Sequence, residues 1–218
     1  MSEAPQTVRV WFASNRQFAD PEGDGLDPVA TSRRAQTLSL GLAEVKIPAG
    51  HKRGVIETVP PLALNAAAYP KFELGRVHLS TCSPKPHLIH TSHELIQQSF
   101  RDLVEQHQED WRQRCCVFVH GYNESFEHAL FTAAQMQVDL PYAGSMLVFS
   151  WPSAGTYQGY TYDQESLQIS RQYLLQFFEA LLLLGVTDIS LLTHSLGARL
   201  VLETLSLLKL KVAAGMWH

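Results

Sequence analysis

Three short apolar runs, each followed by a helical pattern, constrain this chain more than any other feature. Residues 115–119 (CCVFV), 145–151 (SMLVFSW) and 188–193 (DISLLT) have the length of strands, and the first is a continuous apolar run. Strands buried on both faces read this way. Behind the first run, Phe126, Ala129, Leu130, Ala133 and Met136 fall on one helical face. A long helix is expected from about Asp163 to Leu184, ended by Gly185, and a strongly apolar one over 197–210. Strand, helix, strand, helix, strand, helix implies a parallel sheet with right-handed crossovers. The predicted class is α/β, a mostly parallel sheet with flanking helices.

The first half is less regular. Residues 7–13 (TVRVWFA) read as a strand that gives way to polar Ser14, Asn15 and Arg16, and 17–36 as a polar loop. A second strand lies within 38–47, halted by Pro48-Ala49-Gly50. Residues 51–68, broken by Pro60-Pro61, look irregular, and 76–80 form a further short strand. Thr91 and Glu94 make a capping box ahead of Leu95, Ile96, Phe100, Leu103 and Val104, which share a helical face. With 218 residues, 45% of them hydrophobic, the chain can bury one substantial core. We expect a single domain, 1–218, with N-terminal strands and an irregular segment over 1–90 and a βαβ core over 91–210.

The chemistry is concentrated at two strand ends. Thr193-His194-Ser195-Leu196-Gly197 falls where a strand ends and a helix begins, the context of a nucleophile elbow. So tight a turn needs small neighbours and strains the serine, while presenting its hydroxyl at a helix N-terminus that favours negative charge. Gly197 is one small neighbour; Thr193 stands where glycine is usual. The plainer alternative is an N-capping serine. Upstream, His120-Gly121-Tyr122-Asn123 follows the 115–119 strand. A backbone N–H at Tyr122 or Asn123, together with that of Leu196, would make an oxyanion hole, each donor contributing roughly 3 kcal/mol. His120 and His194 are expected to support these loops. A third loop, 150–155, follows the 145–151 strand on the same edge, where ligands of open α/β sheets bind. Trp151, Tyr157, Tyr160 and Tyr162 are candidates to line a pocket there or, equally, core and loop aromatics; Asp163 could approach the site, though a cap on the next helix is the favoured reading.

Other classes fit poorly. A formal net charge of -4 opposes nucleic-acid binding, which needs clustered Lys and Arg. Cys82, Cys115 and Cys116 make no disulfide framework, and the N-terminus carries no basic region followed by an apolar stretch. No run approaches the length of a membrane-spanning helix. A cytoplasmic protein is expected. His87, His90 and His93 recur every third residue, but in no common zinc spacing, and Glu94 is occupied by the capping box. Neither metal nor cofactor is expected.

The runs VFVHGYNESFEHAL, LVFSWPSAGTYQGYTYDQES and LLTHSLGARLVLETL, with WFASNR and LSLGLAEVKIPAGHKRG upstream, resemble a bacterial group of α/β-hydrolases of unknown function in the esterase/lipase superfamily. The resemblance spans about Val8 to Leu208. It implies a serine hydrolase fold with Ser195 as nucleophile and the His120-Gly121 loop at the oxyanion hole.

In that fold the triad acid and histidine follow the serine. After Ser195 come only Glu203, roughly 12 Å along the helix, and His218. The expectation is therefore a hydrolase fold lacking its last strands, with an exposed sheet edge prone to self-association. Activity would be impaired, since a serine without a base is a poor nucleophile. Three functions compete. One is hydrolysis of a small ester or thioester through a Ser195 acyl-enzyme. The second is a non-catalytic, truncated relative acting as a binding module. The third is acyl transfer to an alcohol.

Overall fold

The computed structural model describes residues 4–19, 28–58, 70–82, 98, 101–102 and 114–215. The expected capping box at Thr91 and Glu94, the apolar face over 95–104, the histidines His87, His90 and His93, and His218 lie outside the described residues.

The strands are β1 (Gln6–Ala19), β2 (Val29–Ile47), β3 (Glu73–Cys82), β4 (Arg114–Val119), β5 (Ser145–Ser150) and β6 (Asp188–Thr193). They form one sheet in the order β3-β2-β1-β5-β4-β6. β1, β5, β4 and β6 run parallel; β2 and β3 are antiparallel additions. Helices α1 (Phe126–Asp139), α2 (Tyr160–Leu183) and α3 (Ser195–Ala213) follow β4, β5 and β6. The α/β class holds.

Strand alternation splits the core in two. Val117, Val119, Leu147 and Phe149 pack with Leu167, Leu174 and Phe177 of α2 and Leu200 and Val201 of α3. Cys116, Phe118, Met146 and Val148 face the other way, against Phe126, Ala129, Leu130 and Ala133 of α1. Every position of these strands is needed inside, which is why their sequences are continuous apolar runs. Each such side chain contributes roughly 1.5–3 kcal/mol by leaving water.

The 17–36 segment departs from the expected loop. β1 continues to Ala19 and pairs with β2 as a long hairpin, with Arg16 opposite Arg34 and Phe18 opposite Ala30. The polar residues are compatible with a strand because they find partners across the sheet. Arg34 reaches Ser166 Oγ at 2.9 Å and stacks over the Tyr162 ring at 4.1 Å. At the other end of the sheet, β6 pairs with β4. Among the described residues no strand pairs its second edge, and its residues alternate between exposed and half-buried.

Candidate active site

All the loops that matter leave the same edge of the sheet, at the C-terminal ends of the parallel strands. At the end of β6, Ser195 adopts φ = 52°, a left-handed conformation that costs a non-glycine residue roughly 1–3 kcal/mol. It is the first residue of α3 and it is exposed. Close packing imposes the turn. A Cβ at Gly197 would collide with the His120 carbonyl oxygen and lie 2.6 Å from that of Val119, so α3 starts hard against the end of β4. Thr193 replaces the usual glycine without penalty because its Oγ1 donates to Val119 O at 3.0 Å.

Gly121 makes the second close approach. A Cβ there would lie 2.5 Å from His194 Cε1 and 3.1 Å from Ser195 Cβ, so the loop after β4 touches the serine. Among the described residues the Tyr122 and Leu196 N–H groups have no hydrogen-bond partner. Leu196 sits in the first turn of α3, where no intrahelical acceptor exists. The exposed serine thus stands at a positive helix end, next to the unpaired Leu196 N–H and touched by the loop that carries the unpaired Tyr122 N–H.

His120 is fully buried beneath this loop. Its ring stacks on Trp151 at 5.1 Å, with Nε2 3.0 Å from Trp151 O and 3.3 Å from Ser150 Oγ. Trp151 Nε1 donates back to His120 O at 2.8 Å. Burial and then the Arg16 charge push the His120 pKa down to about 3, so the ring is neutral. Its ring nitrogens are taken up by Gly121 O and Trp151 O, so it ties two loops together.

Below His120 lies a buried polar network. The Arg16 guanidinium donates to Ser150 Oγ (3.0 Å), Ser153 O (3.1 Å), Glu124 O (2.9 Å) and Thr31 O (3.3 Å). Burial lowers its pKa to about 10, with the Asp163 charge opposing the shift, so it remains a cation at neutral pH. Asp163, also fully buried, accepts from Ser153 Oγ and Ala154 N, both at 2.6 Å, and from Asn123 N at 3.3 Å.

A family model described as an alpha/beta hydrolase of unknown function (DUF900) matches residues 96–218. The chain belongs to that family. No curated protein and no solved structure matches it.

In this alpha/beta hydrolase the residues singled out from the sequence are only partly brought together. Ser195, Leu196, Gly197, Gly121, His194 and Tyr122 converge at one strand end. Asn123 is there too, with φ = 58°, but its N–H is committed to Asp163, which leaves Tyr122 as the free donor. Asp163 does not cap α2: the helix starts one turn earlier, at Tyr160, and the carboxylate turns inward to the loops. Trp151 lines no open pocket, being 0% exposed in the core against His120. Tyr157 is 83% exposed, and its carbonyl accepts from the Tyr122 hydroxyl. Tyr162 is turned away, donating to Ser32 O at 2.8 Å. Glu203 is held by Arg199 (2.7 Å) and Arg171 (3.3 Å), far along α3.

No imidazole or carboxylate among the described residues hydrogen-bonds the Ser195 hydroxyl. His194 lies against Gly121 and stacks on Phe118 at 6.4 Å. The Cys115 thiol is buried, and burial pushes its pKa up to about 12, so it stays protonated at neutral pH. Among the described residues no group of His, Cys, Asp or Glu is arranged to hold a metal ion, and no helix is long and apolar enough to cross a membrane. The sequence puts Ser150 and Ser153 in a loop at this edge and allows Asp163 to approach it, but the buried Arg16 that joins them escapes sequence reasoning. The available signal was the polar trio Ser14-Asn15-Arg16 directly after an apolar strand, at the edge where the site forms.

Proposed function

We propose that this chain is a serine hydrolase that cleaves small carboxylic esters or thioesters through an acyl-enzyme on Ser195. The observation that carries the reading is the strained, exposed Ser195, followed by the unpaired Leu196 N–H and touched by the loop that carries the unpaired Tyr122 N–H. In the proposed reaction Ser195 Oγ attacks the acyl carbon while a base takes its proton. The carbonyl oxygen becomes an oxyanion between the two donors, and the alcohol or thiol leaves with a proton. Water then attacks the acyl carbon and frees the serine. Tyr157 borders the entrance, the base is sought outside the described residues, and two free buried thiols suit the cytoplasm. Without a recruited base, rate enhancement would be only roughly 10³–10⁴-fold over water. Hydrolysis of a panel of short-chain esters and thioesters tests the proposal: turnover absent from Ser195→Ala supports it, and equal rates in both proteins reject it.

A second reading, a non-catalytic module that self-associates, draws on the open edge of β6 and on exposed Leu202 (65%), Leu210 and Val212 of α3. Light scattering that finds a dimer, with no serine-dependent turnover, would favour it.

A further inference from the structure

Arg16 and Asp163 divide the same two loops between them. Arg16 takes acceptors: the carbonyls of Glu124 and Ser153 and the hydroxyl of Ser150. Asp163 takes donors: the N–H groups of Asn123 and Ala154 and the hydroxyl of Ser153. Ser153 Oγ also accepts from Glu124 N at 3.1 Å, so the loops are stitched at successive residues. Two opposite charges buried together are costly unless their hydrogen bonds are filled, as they are here. Such an arrangement contributes less to stability than a packed apolar core would, and its product is a defined loop conformation.

That conformation bears directly on the serine. Asn123 sits in the left-handed region, and its N–H is drawn inward by Asp163. The preceding N–H, that of Tyr122, stays unpaired beside Gly121, which presses on Ser195. We propose that Asp163 is a positioning residue for the oxyanion hole: by taking the Asn123 N–H it leaves the Tyr122 N–H facing the carbonyl oxygen of an acyl group bound at Ser195. This rests on the hydrolase reading above and adds the device that aims its donor.

Asp163→Asn is the sharpest variant. Oδ2 accepts from Asn123 N and Ser153 Oγ, and Oδ1 from Ala154 N. Whichever oxygen becomes an amide NH₂, one backbone N–H loses its acceptor, at unchanged side-chain volume. With p-nitrophenyl acetate as substrate, kcat per titrated site falls about 100-fold and KM changes less than about two-fold, as expected when a transition-state donor is misaimed. The number of sites titrated by a fluorophosphonate at its endpoint stays one per chain. A merely structural role would instead lower the titratable fraction and leave kcat per remaining site at the wild-type value, which overturns the proposal. Should Asp163→Asn fail to fold, Ser153→Ala leaves the carboxylate in place and removes one donor to it, together with the acceptor of the Glu124 N–H. It is expected to lower kcat per site about five-fold, and an unchanged value overturns the proposal. Absence of Ser195-dependent turnover in the wild-type chain would sink the hydrolase reading itself, and this inference with it.

Discussion

The two edges of the sheet hold similar residues and do opposite things with them. At the N-terminal ends of the parallel strands, His51 lies between Glu57 (Nδ1 to Oε2, 2.8 Å) and Asp139 (Nε2 to Oδ1, 3.2 Å). The remaining oxygens accept from Lys52 N at 2.8 Å and Gly54 N at 2.6 Å. The side chains are those of a catalytic triad's base and acid, yet their polar atoms are satisfied, and among the described residues no hydroxyl hydrogen-bonds them. The cluster ties the loop after β2 to the end of α1. At the C-terminal edge the serine is strained, and two N–H groups beside it are left without partners. Residue type therefore does not mark a site; unspent hydrogen-bonding capacity and unrelieved strain do.

Substitutions should separate the two edges. The largest effect is expected from Gly197→Ala, whose methyl would meet backbone carbonyls that cannot move aside. A loss of about 3 kcal/mol, or roughly 10 °C in Tm, should accompany loss of Ser195 reactivity. Next, His51→Ala should cost about 2 kcal/mol in urea unfolding by stranding two carboxylates. Because it acts at the opposite edge, Ser195 reactivity per folded molecule should not change.

The His51 cluster also carries a pH signature. Burial alone would lower the His51 pKa, but the hydrogen bonds to Glu57 and Asp139 outweigh it and the pKa is raised. Its stabilisation is thus complete below the unfolded value of about 6.5 and is lost as pH rises through the folded value. For Glu57 and Asp139, burial is likewise outweighed, by hydrogen bonds to His51 and to backbone N–H groups, and the pKa values are lowered. Their contribution is present above about pH 4 and is lost as pH falls through the folded values. The advantage of wild type over His51→Ala should peak near pH 6 and shrink by about 1 kcal/mol at pH 9, measured by urea midpoints. The smallest effect belongs to Tyr157→Ala. With the ring 83% exposed, stability should change by less than about 0.5 kcal/mol, while KM for an aryl ester rises about three-fold if the ring borders the substrate.

How much of this could be read in the sequence follows the range of the interactions. β4 and β5 and the helices of the second half were legible because two-sided burial and helical periodicity are local patterns, and β6 because its short run sits between two helical patterns. The strand–helix junction at Ser195 was legible because an apolar helical pattern begins directly behind a short strand. The β1–β2 hairpin was not: its polar residues, Arg16 and Arg34, resemble a loop until partners more than a hundred residues away are known. For Trp151 the choice between pocket and core stayed open for the same reason, since only the fold reveals His120 stacked on it. Asp163 looked like a helix cap, and its inward turn depends on loops that reach it from β4 and β5.

The central claim is that Ser195 is a nucleophile and not merely the first residue of a helix. Incubation of the folded 218-residue chain with a fluorophosphonate, followed by mass mapping of the adduct, tests it most directly. The account predicts one adduct per chain, on Ser195, absent from Ser195→Ala. A folded chain that stays unmodified at Ser195 would contradict it.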